Sequence, residues 1–289
     1  MSVSFKDWPV NKQFMRILVK PDTWLLNPVT MDMAATRSYV VEGSEKAMVI
    51  DTLQEDLDIR GYIEQCVTDK PLVVASTHSH GDHTENNTFF KDCPIYMTEK
   101  CWEEIQAMKK NGNIQGWNAP ADYTPTIIKD GDVIDLGDRK IECLYFCGCH
   151  AESSIVYFDT KYGCVFTGDE FEGGQVLVMR PTGNNCIELY RDNLLELKKK
   201  LAGRATCICP AHNGAPIDIA YLDYMIEACE QLMNGAEGST DPFSMTWGLN
   251  PHGWDAKHVC DENTRRFEYK GCSLVYNCKR IFYKDCVEN

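Results

Sequence analysis

The run His78-Ser-His80-Gly-Asp82-His83 places three imidazoles and one carboxylate within six residues. Neutral imidazole and carboxylate form a ligand set for Zn²⁺, and Fe²⁺ or Mn²⁺ also fit it. The run lies in a polar segment directly after Pro71-Leu-Val-Val-Ala-Ser, which reads as a short strand buried on both faces. A loop leaving a strand end can curl and aim several side chains at one volume. Four ligand-type side chains are too many for one open tetrahedral site that also keeps a water. They suit two adjacent ions better. Further ligands are expected at other strand-to-loop junctions. His150 follows an expected strand at 140–146, Asp169 one at 164–167, and His212 one at 205–209. Of the seven histidines, five fall at such junctions, leaving only His252 and His258. A scattered set of structural histidines would not sort itself in this way.

The elements that must position these groups can be read from pattern and punctuation. Residues 13–50 read as strands, with a hairpin around Gly43-Ser44 and Asp51 closing its second arm. Residues 54–67 have helical spacing with Leu57, Ile63 and Val67 inward. Pro94-Ile-Tyr-Met is a strand, and a helix follows over 98–110. Residues 111–130 form a long Gly/Asn/Pro loop, either a lid or a surface insertion. Strands resume over 132–135, 140–146, 154–158 and 164–167. An amphipathic helix spans 186–202, with Lys198-Lys-Lys and Gly203 at its end. A strand at 205–209, a helix at about 216–233, an irregular stretch to about 265, and strands near 266–269, 273–277 and 279–283 complete the chain. Strands in two groups, each followed by helices, predict two sheets with helices packed outside, an α/β sandwich.

Composition narrows the function. The 289 residues are 44% hydrophobic and 25% charged, an ordinary globular balance that excludes a disordered or fibrous chain. A net charge of −14 disfavours general nucleic-acid binding. No apolar run approaches the roughly 20 residues needed to span a bilayer, and no signal-peptide stretch opens the chain, so no membrane association and a cytoplasmic location are expected. The 15 cysteines include no C-x-x-C. In Cys147-Gly-Cys149 and Cys207-Ile-Cys209, strand geometry would turn both thiols of a pair to one face. The ordinary reading is reduced, mostly buried thiols; a cysteine-based metal or redox site is the alternative.

The H-x-H-x-D-H run, Gly148-Cys-His150, Thr167-Gly-Asp169 and Pro210-Ala-His212-Asn-Gly together resemble the metallo-β-lactamase-fold hydrolase superfamily, in its glyoxalase II-like and lactonase-like branch. The order and spacing match over roughly residues 30–235. The resemblance implies an αββα four-layer sandwich with a dinuclear site at one edge between the sheets. By the same resemblance, His78, His80 and His150 would bind one metal and Asp82, His83 and His212 the other. Asp169 would bridge them, and Asp51 would orient a ligand imidazole. Some positions depart from the pattern: Glu172 stands where lactonases often carry Tyr, and Ala151-Glu-Ser-Ser154 replaces Thr-Pro-Gly-Ser. Residues 1–240 would form the catalytic domain. Residues 241–289 would be a C-terminal extension completing the sheet and a candidate wall of the substrate pocket.

The implied activity is hydrolysis by a hydroxide bridging two Zn²⁺ ions, with Asp82 and Asp169 as the carboxylates at the reacting centre. The substrate would be a small-molecule ester, thioester or lactone. Trp117, Tyr123, Trp247 and Trp254 are aromatic candidates for the pocket wall, against ordinary packing. Homo-oligomerisation is left open. The rival reading is an iron-dependent, persulfide-type sulfur dioxygenase on the same fold; a non-enzymatic metal-binding protein is a third.

Overall fold

A computed structural model describes residues 8–29, 36–54, 57–111, 121–146, 148–172, 176–178, 185–212, 216–240 and 261–286. Seven strands join in chain order into the first sheet: Phe14–Lys20 (β1), Thr23–Pro28 (β2), Ser38–Glu42 (β3), Ala47–Ile50 (β4), Leu72–Ala75 (β5), Ile95–Met97 (β6) and Thr126–Ile127 (β7). Pairing is antiparallel from β1 to β4 and parallel from β4 to β7. The second sheet contains Val133–Asp135 (β8), Lys140–Tyr145 (β9), Ile155–Asp159 (β10), Cys164–Gly168 (β11), Cys207–Pro210 (β13) and Ile217–Asp218 (β14), in the order β14-β13-β11-β10-β9-β8. Val176–Leu177 (β12) pairs with Cys272–Asn277 (β16), which pairs with Thr264–Tyr269 (β15), forming a separate three-stranded sheet.

The period-2 alternation of strand side chains builds the layers. Tyr39, Val41, Met48, Ile50, Val73 and Ala75 face Ile141, Tyr157 and Phe166 in one apolar layer between the two large sheets. Their chain neighbours Val40, Val49 and Val74 turn the other way. There they meet Ile59 and Ile63 of the helix Ile59–Cys66 (α1) and Cys101 and Ile105 of the helix Glu99–Asn111 (α3). On the far face of the second sheet, Val156, Phe158 and Val165 pack against Ile187–Leu201 (α4) and Tyr221–Met233 (α5). The result is the expected αββα four-layer sandwich. Among the described residues no helix is long and apolar enough to cross a membrane.

Local chemistry sets the ends of the elements. The Asp58 carboxylate accepts from Gly61 N at 2.8 Å and caps α1. α4 ends at left-handed Ala202, followed by Gly203. Two expectations are corrected. The last helix begins at Tyr221 rather than near 216, because Ile217 and Asp218 pair with β13. Residues 279–283 do not form a strand: Ile281 N and Phe282 N both donate to the Asp285 carboxylate, and Tyr283–Cys286 is a 3₁₀ turn. A carboxylate has taken the donors that a strand ladder would use. Trp117, Trp247, His252, Trp254 and His258 lie outside the described residues.

At one end of the sandwich a buried arginine joins the two sheets. Arg139 Nη2 donates to Asp159 Oδ2 and Thr23 Oγ1, both at 2.6 Å, and its Nη1 donates to the carbonyls of Asp22 and Glu42. Both charged side chains are fully buried. Removing one member leaves the other charge buried and unpaired. Arg139→Ala should therefore lower unfolding stability by about 3–5 kcal/mol in urea denaturation. A loss within about 0.5 kcal/mol, the scale of an ordinary surface substitution, would show that this pair does not tie the sheets together.

Candidate metal centre

The opposite end of the sandwich collects the C-terminal ends of β4, β5, β11 and β13. Asp51 follows β4, the run from His78 to His83 follows β5, Asp169 follows β11, and His212 lies just beyond β13. Cross-sheet hydrogen bonds hold these ends together. Ile155 N donates to Thr77 O at 2.9 Å, and Tyr157 Oη donates to Ser76 O at 2.9 Å. Arg37 N donates to Ala211 O at 2.9 Å, and Tyr39 Oη to Pro210 O at 2.8 Å. Gly168 lets β11 come this close: its φ is +54°, and a Cβ there would sit 2.5 Å from Thr77 Oγ1. Just after the first two histidines the chain turns into a single helical turn, Gly81–Thr84 (α2), which brings Asp82 and His83 back towards the same volume.

All seven of the sequence-derived ligand candidates meet there, in two groups that share Asp169. In the first group His78, His80, His150 and Asp169 converge. His78 Nε2 is 2.8 Å from His80 Nδ1, which is 3.3 Å from His150 Nε2. Asp169 Oδ2 lies 3.2 Å from His150 Nε2 and 3.8 Å from His78 Nε2. In the second group Asp82, His83, His212 and Asp169 converge. The other Asp169 oxygen, Oδ1, lies 3.2 Å from His83 Nε2 and 3.4 Å from His212 Nε2. Asp82 Oδ2 is 3.2 Å from His212 Nε2 and 3.4 Å from His83 Nε2.

Asp51 stands behind both groups. Its Oδ2 accepts from His83 Nδ1 and from Thr77 Oγ1, each at 2.8 Å, and its Oδ1 accepts from Thr77 N at 2.8 Å. The Thr77 hydroxyl proton is therefore committed to Asp51. Its oxygen, 3.0 Å from His78 Nδ1, is left to accept from that nitrogen. These bonds place a proton on Nδ1 of His78 and of His83 and turn both Nε2 atoms into the site. Asp51 itself sits at φ +59°, a left-handed conformation that aspartate tolerates better than most residues.

The electrostatics follow from packing so many ionisable groups together. Burial first, then the neighbouring His83, hold His78 well below the usual histidine range. Burial opposes protonation at His83 and His212 as well, but the surrounding carboxylates, Asp169 foremost, outweigh it and raise both. Asp82 and Asp169 are held low because their imidazole neighbours outweigh the burial that would raise them. His83 Nε2 and Asp169 Oδ1 are fully buried without a hydrogen-bond partner. Unsatisfied polar atoms at such depth are costly. An imidazole nitrogen and a carboxylate oxygen left unpaired in one space, each among further nitrogen and carboxylate groups, fit a divalent cation.

Three supporting residues escaped the sequence reading. Besides Thr77, Thr36 Oγ1 donates to Asp82 Oδ2 at 2.8 Å. Glu170, next to Asp169, accepts from His150 N at 3.2 Å and holds the loop that carries that histidine. Burial pushes Glu170 up to about 8. An acid beside the expected ligand Asp169 was the available signal for Glu170; the threonines offered none. Glu172 is buried, and its charge faces His212. Tyr123, a candidate pocket wall, instead packs on Trp102 with its hydroxyl on Asn87, in the layer beneath α3.

Two sheets back to back, helices outside and paired His/Asp groups at one edge define a metal-binding αββα sandwich. A family model described as the metallo-beta-lactamase superfamily matches residues 32–212, and the chain belongs to that superfamily. It is 27% identical over 199 residues to the human acyl-coenzyme A thioesterase MBLAC2, covering 55% of this chain and 69% of that protein. It is 25% identical over 170 residues to the chicken protein of the same name, covering 50% of this chain and 61% of the relative's length. Among solved structures, the metallo-beta-lactamase FIM-1 from Pseudomonas aeruginosa, in its mono-zinc form, superimposes with a TM-score of 0.59 at 16% identity. That match covers 77% of this chain and 97% of the other.

If Asp51 fixes a ligand in each group, Asp51→Ala should weaken zinc binding about 10–100-fold, as removal of such a supporting carboxylate typically does. Chelator competition on the refolded, zinc-titrated variant measures this. Unchanged affinity would show that the imidazoles hold their orientation without it.

Proposed function

We propose that this chain is a metal-dependent hydrolase with two zinc ions, acting on small-molecule thioesters of the acyl-coenzyme A type. One observation supports the two-ion reading above all: the two oxygens of Asp169 face different groups of imidazoles. His78, His80 and His150 would hold one ion, Asp82, His83 and His212 the other, with Asp169 serving both. Cations bound there would supply water of lowered pKa and polarise the scissile carbonyl. The nitrogen and oxygen donors at this end suit zinc.

The chain's own residues divide the remaining work. Asp82 and His212 are the more open members of the centre, with 17% and 13% of their side-chain surface exposed, against 7% or less for His78, His83, His150 and Asp169. This greater exposure supports an approach of substrate from the Asp82 and His212 side. Asp82, held ionised by its imidazole neighbours and aimed by Thr36, is the carboxylate placed to accept a proton from the attacking water. Asp51 and Thr77 keep His83 and His78 from rotating as charge shifts. A thiolate leaving group, with a conjugate-acid pKa of about 8.5, departs without a dedicated acid. The thioesterase names of the relatives favour this leaving group over the alkoxide of an ester or lactone, and favour hydrolysis over sulfur oxidation.

The test is a panel of acyl-coenzyme A, ester, lactone and phosphodiester substrates, assayed on protein carrying a measured two zinc ions per chain. Thioester turnover should dominate. Asp82→Ala should lose about 10²–10⁴-fold in rate while keeping a native circular dichroism spectrum. No turnover on any substrate, or near-normal turnover in Asp82→Ala, would overturn the proposal.

A further inference from the structure

β11 and β13 carry a second donor cluster, built of sulfur alone. Cys164 opens β11 and Cys207 opens β13; the strands run parallel, with these two residues paired in register. Cys209 lies two positions further along β13 and therefore points to the same face as Cys207. That face looks into the layer between the two large sheets, where Tyr39 and Phe166 are neighbours. The Cys164 and Cys207 sulfurs are 3.7 Å apart, and all three sulfurs lie within 4.8 Å of one another. No imidazole or carboxylate belongs to this cluster.

The spacing has chemical content. A three-coordinate ion with metal–sulfur bonds of about 2.3 Å spaces its sulfurs about 4.0 Å apart. The Cys164–Cys207 spacing of 3.7 Å is close to that value, and neither of the other two spacings exceeds 4.8 Å. A purely thiolate donor set selects soft cations such as copper(I) over ions that prefer nitrogen and oxygen. Hydrogen bonds shared with Cys164 and then Cys209 hold the Cys207 thiol well below the usual cysteine range. Burial, followed by the neighbouring sulfurs, pushes Cys209 up. Cys164 is pushed up to about 12, chiefly by the bond with Cys207. Cys207 keeps 8% of its surface exposed while Cys164 is fully covered, which gives an incoming ion a point of entry.

We propose that Cys164, Cys207 and Cys209 form a binding site for a single soft cation of the copper(I) class, separate from the His/Asp centre. Three sulfur–metal bonds form as the incoming ion sheds its acetonitrile ligands, the S–H bonds of the three thiols break, and three protons leave to solvent. No electrons are exchanged. The bound ion clamps β11 to β13.

The experiment uses full-length, zinc-loaded protein kept anaerobic. Copper(I) is added as its acetonitrile complex against the chelator bicinchoninate. One chelator-resistant copper per chain should appear, with a thiolate-to-copper ultraviolet band and three sulfur neighbours in X-ray absorption. Cys207→Ser and Cys164→Ser should lose that ion. Cys229→Ser, a buried thiol outside the trio, should keep it. A readout independent of variants is alkylation of the native protein: copper should protect Cys207 from iodoacetamide. Retention of the ion in Cys207→Ser, or two sulfur neighbours instead of three, would overturn the site. So would unprotected Cys207, or a Cys164–Cys207 disulfide in the anaerobically purified protein.

Discussion

Two groups of buried donors must lie within a few ångströms of one another without flying apart or collapsing, and the carboxylate of Asp169 makes this possible. Each of its oxygens answers a different set of imidazoles. Removed from water, five imidazoles and two carboxylates at this spacing would be expensive to bury. Their opposite charges offset much of that cost, which is why the acids are held low while His83 and His212 are held high. The two orphaned atoms, His83 Nε2 and Asp169 Oδ1, mark where protein–protein pairing stops short. A metal-binding centre is a place where the fold leaves such atoms unmatched among themselves.

That demand explains the architecture around it. Ligands arrive from β5, β11 and β13 and from the loop after β9, in two different sheets, so the sheets must be locked at this edge to within hydrogen-bonding precision. Gly168 removes the side chain that would keep β11 away from Thr77. Tyr39 and Tyr157 each reach from one sheet to a backbone carbonyl of the other. At the far end Arg139 does the same with charge. Asp51 couples the two ligand groups, directly through His83 and through Thr77 to His78. One carboxylate thus sets an imidazole in each group, and its left-handed backbone is the local strain accepted to put it there.

The ligands were legible in the sequence because chemistry had crowded them. His78, His80, Asp82 and His83 are close along the chain, and His150, Asp169 and His212 each terminate a strand whose apolar pattern is plain. The two sheets with helices outside were legible through the grouping of strands and helices along the chain, and the four-layer form through the family resemblance; which face each of the apolar Tyr39, Val40 and Val41 takes was not. Residues whose work depends on a distant partner were not. Thr36 acts only because Asp82, 46 positions away, comes to it. Glu170 acts on the backbone of His150, 20 positions earlier. The two-residue strands β7 and β12 are too short to carry a period. The pairing of Val176 with Leu274 joins segments nearly a hundred residues apart, and no local signal foretells it. Ile281-Phe282-Tyr283 has the apolar look of a strand, but the carboxylate of Asp285 captures its donors.

β11 and β13 carry two unlike donor sets on one strand pair. Their C-terminal ends deliver Asp169 and His212 to a nitrogen and oxygen centre; their inner faces, earlier along the same strands, bring three sulfurs together. Parallel register sets Cys164 opposite Cys207, and a register shift between Phe166 and Gly168 then separates the sulfur stretch from the end that carries Asp169. Donor softness keeps them distinct: a borderline cation gains from imidazole and carboxylate at the rim, and a soft one gains from thiolates in the apolar layer. Since the strands are shared, an ion at the sulfur trio would stiffen the scaffold that aims Asp169 and His212 without touching either.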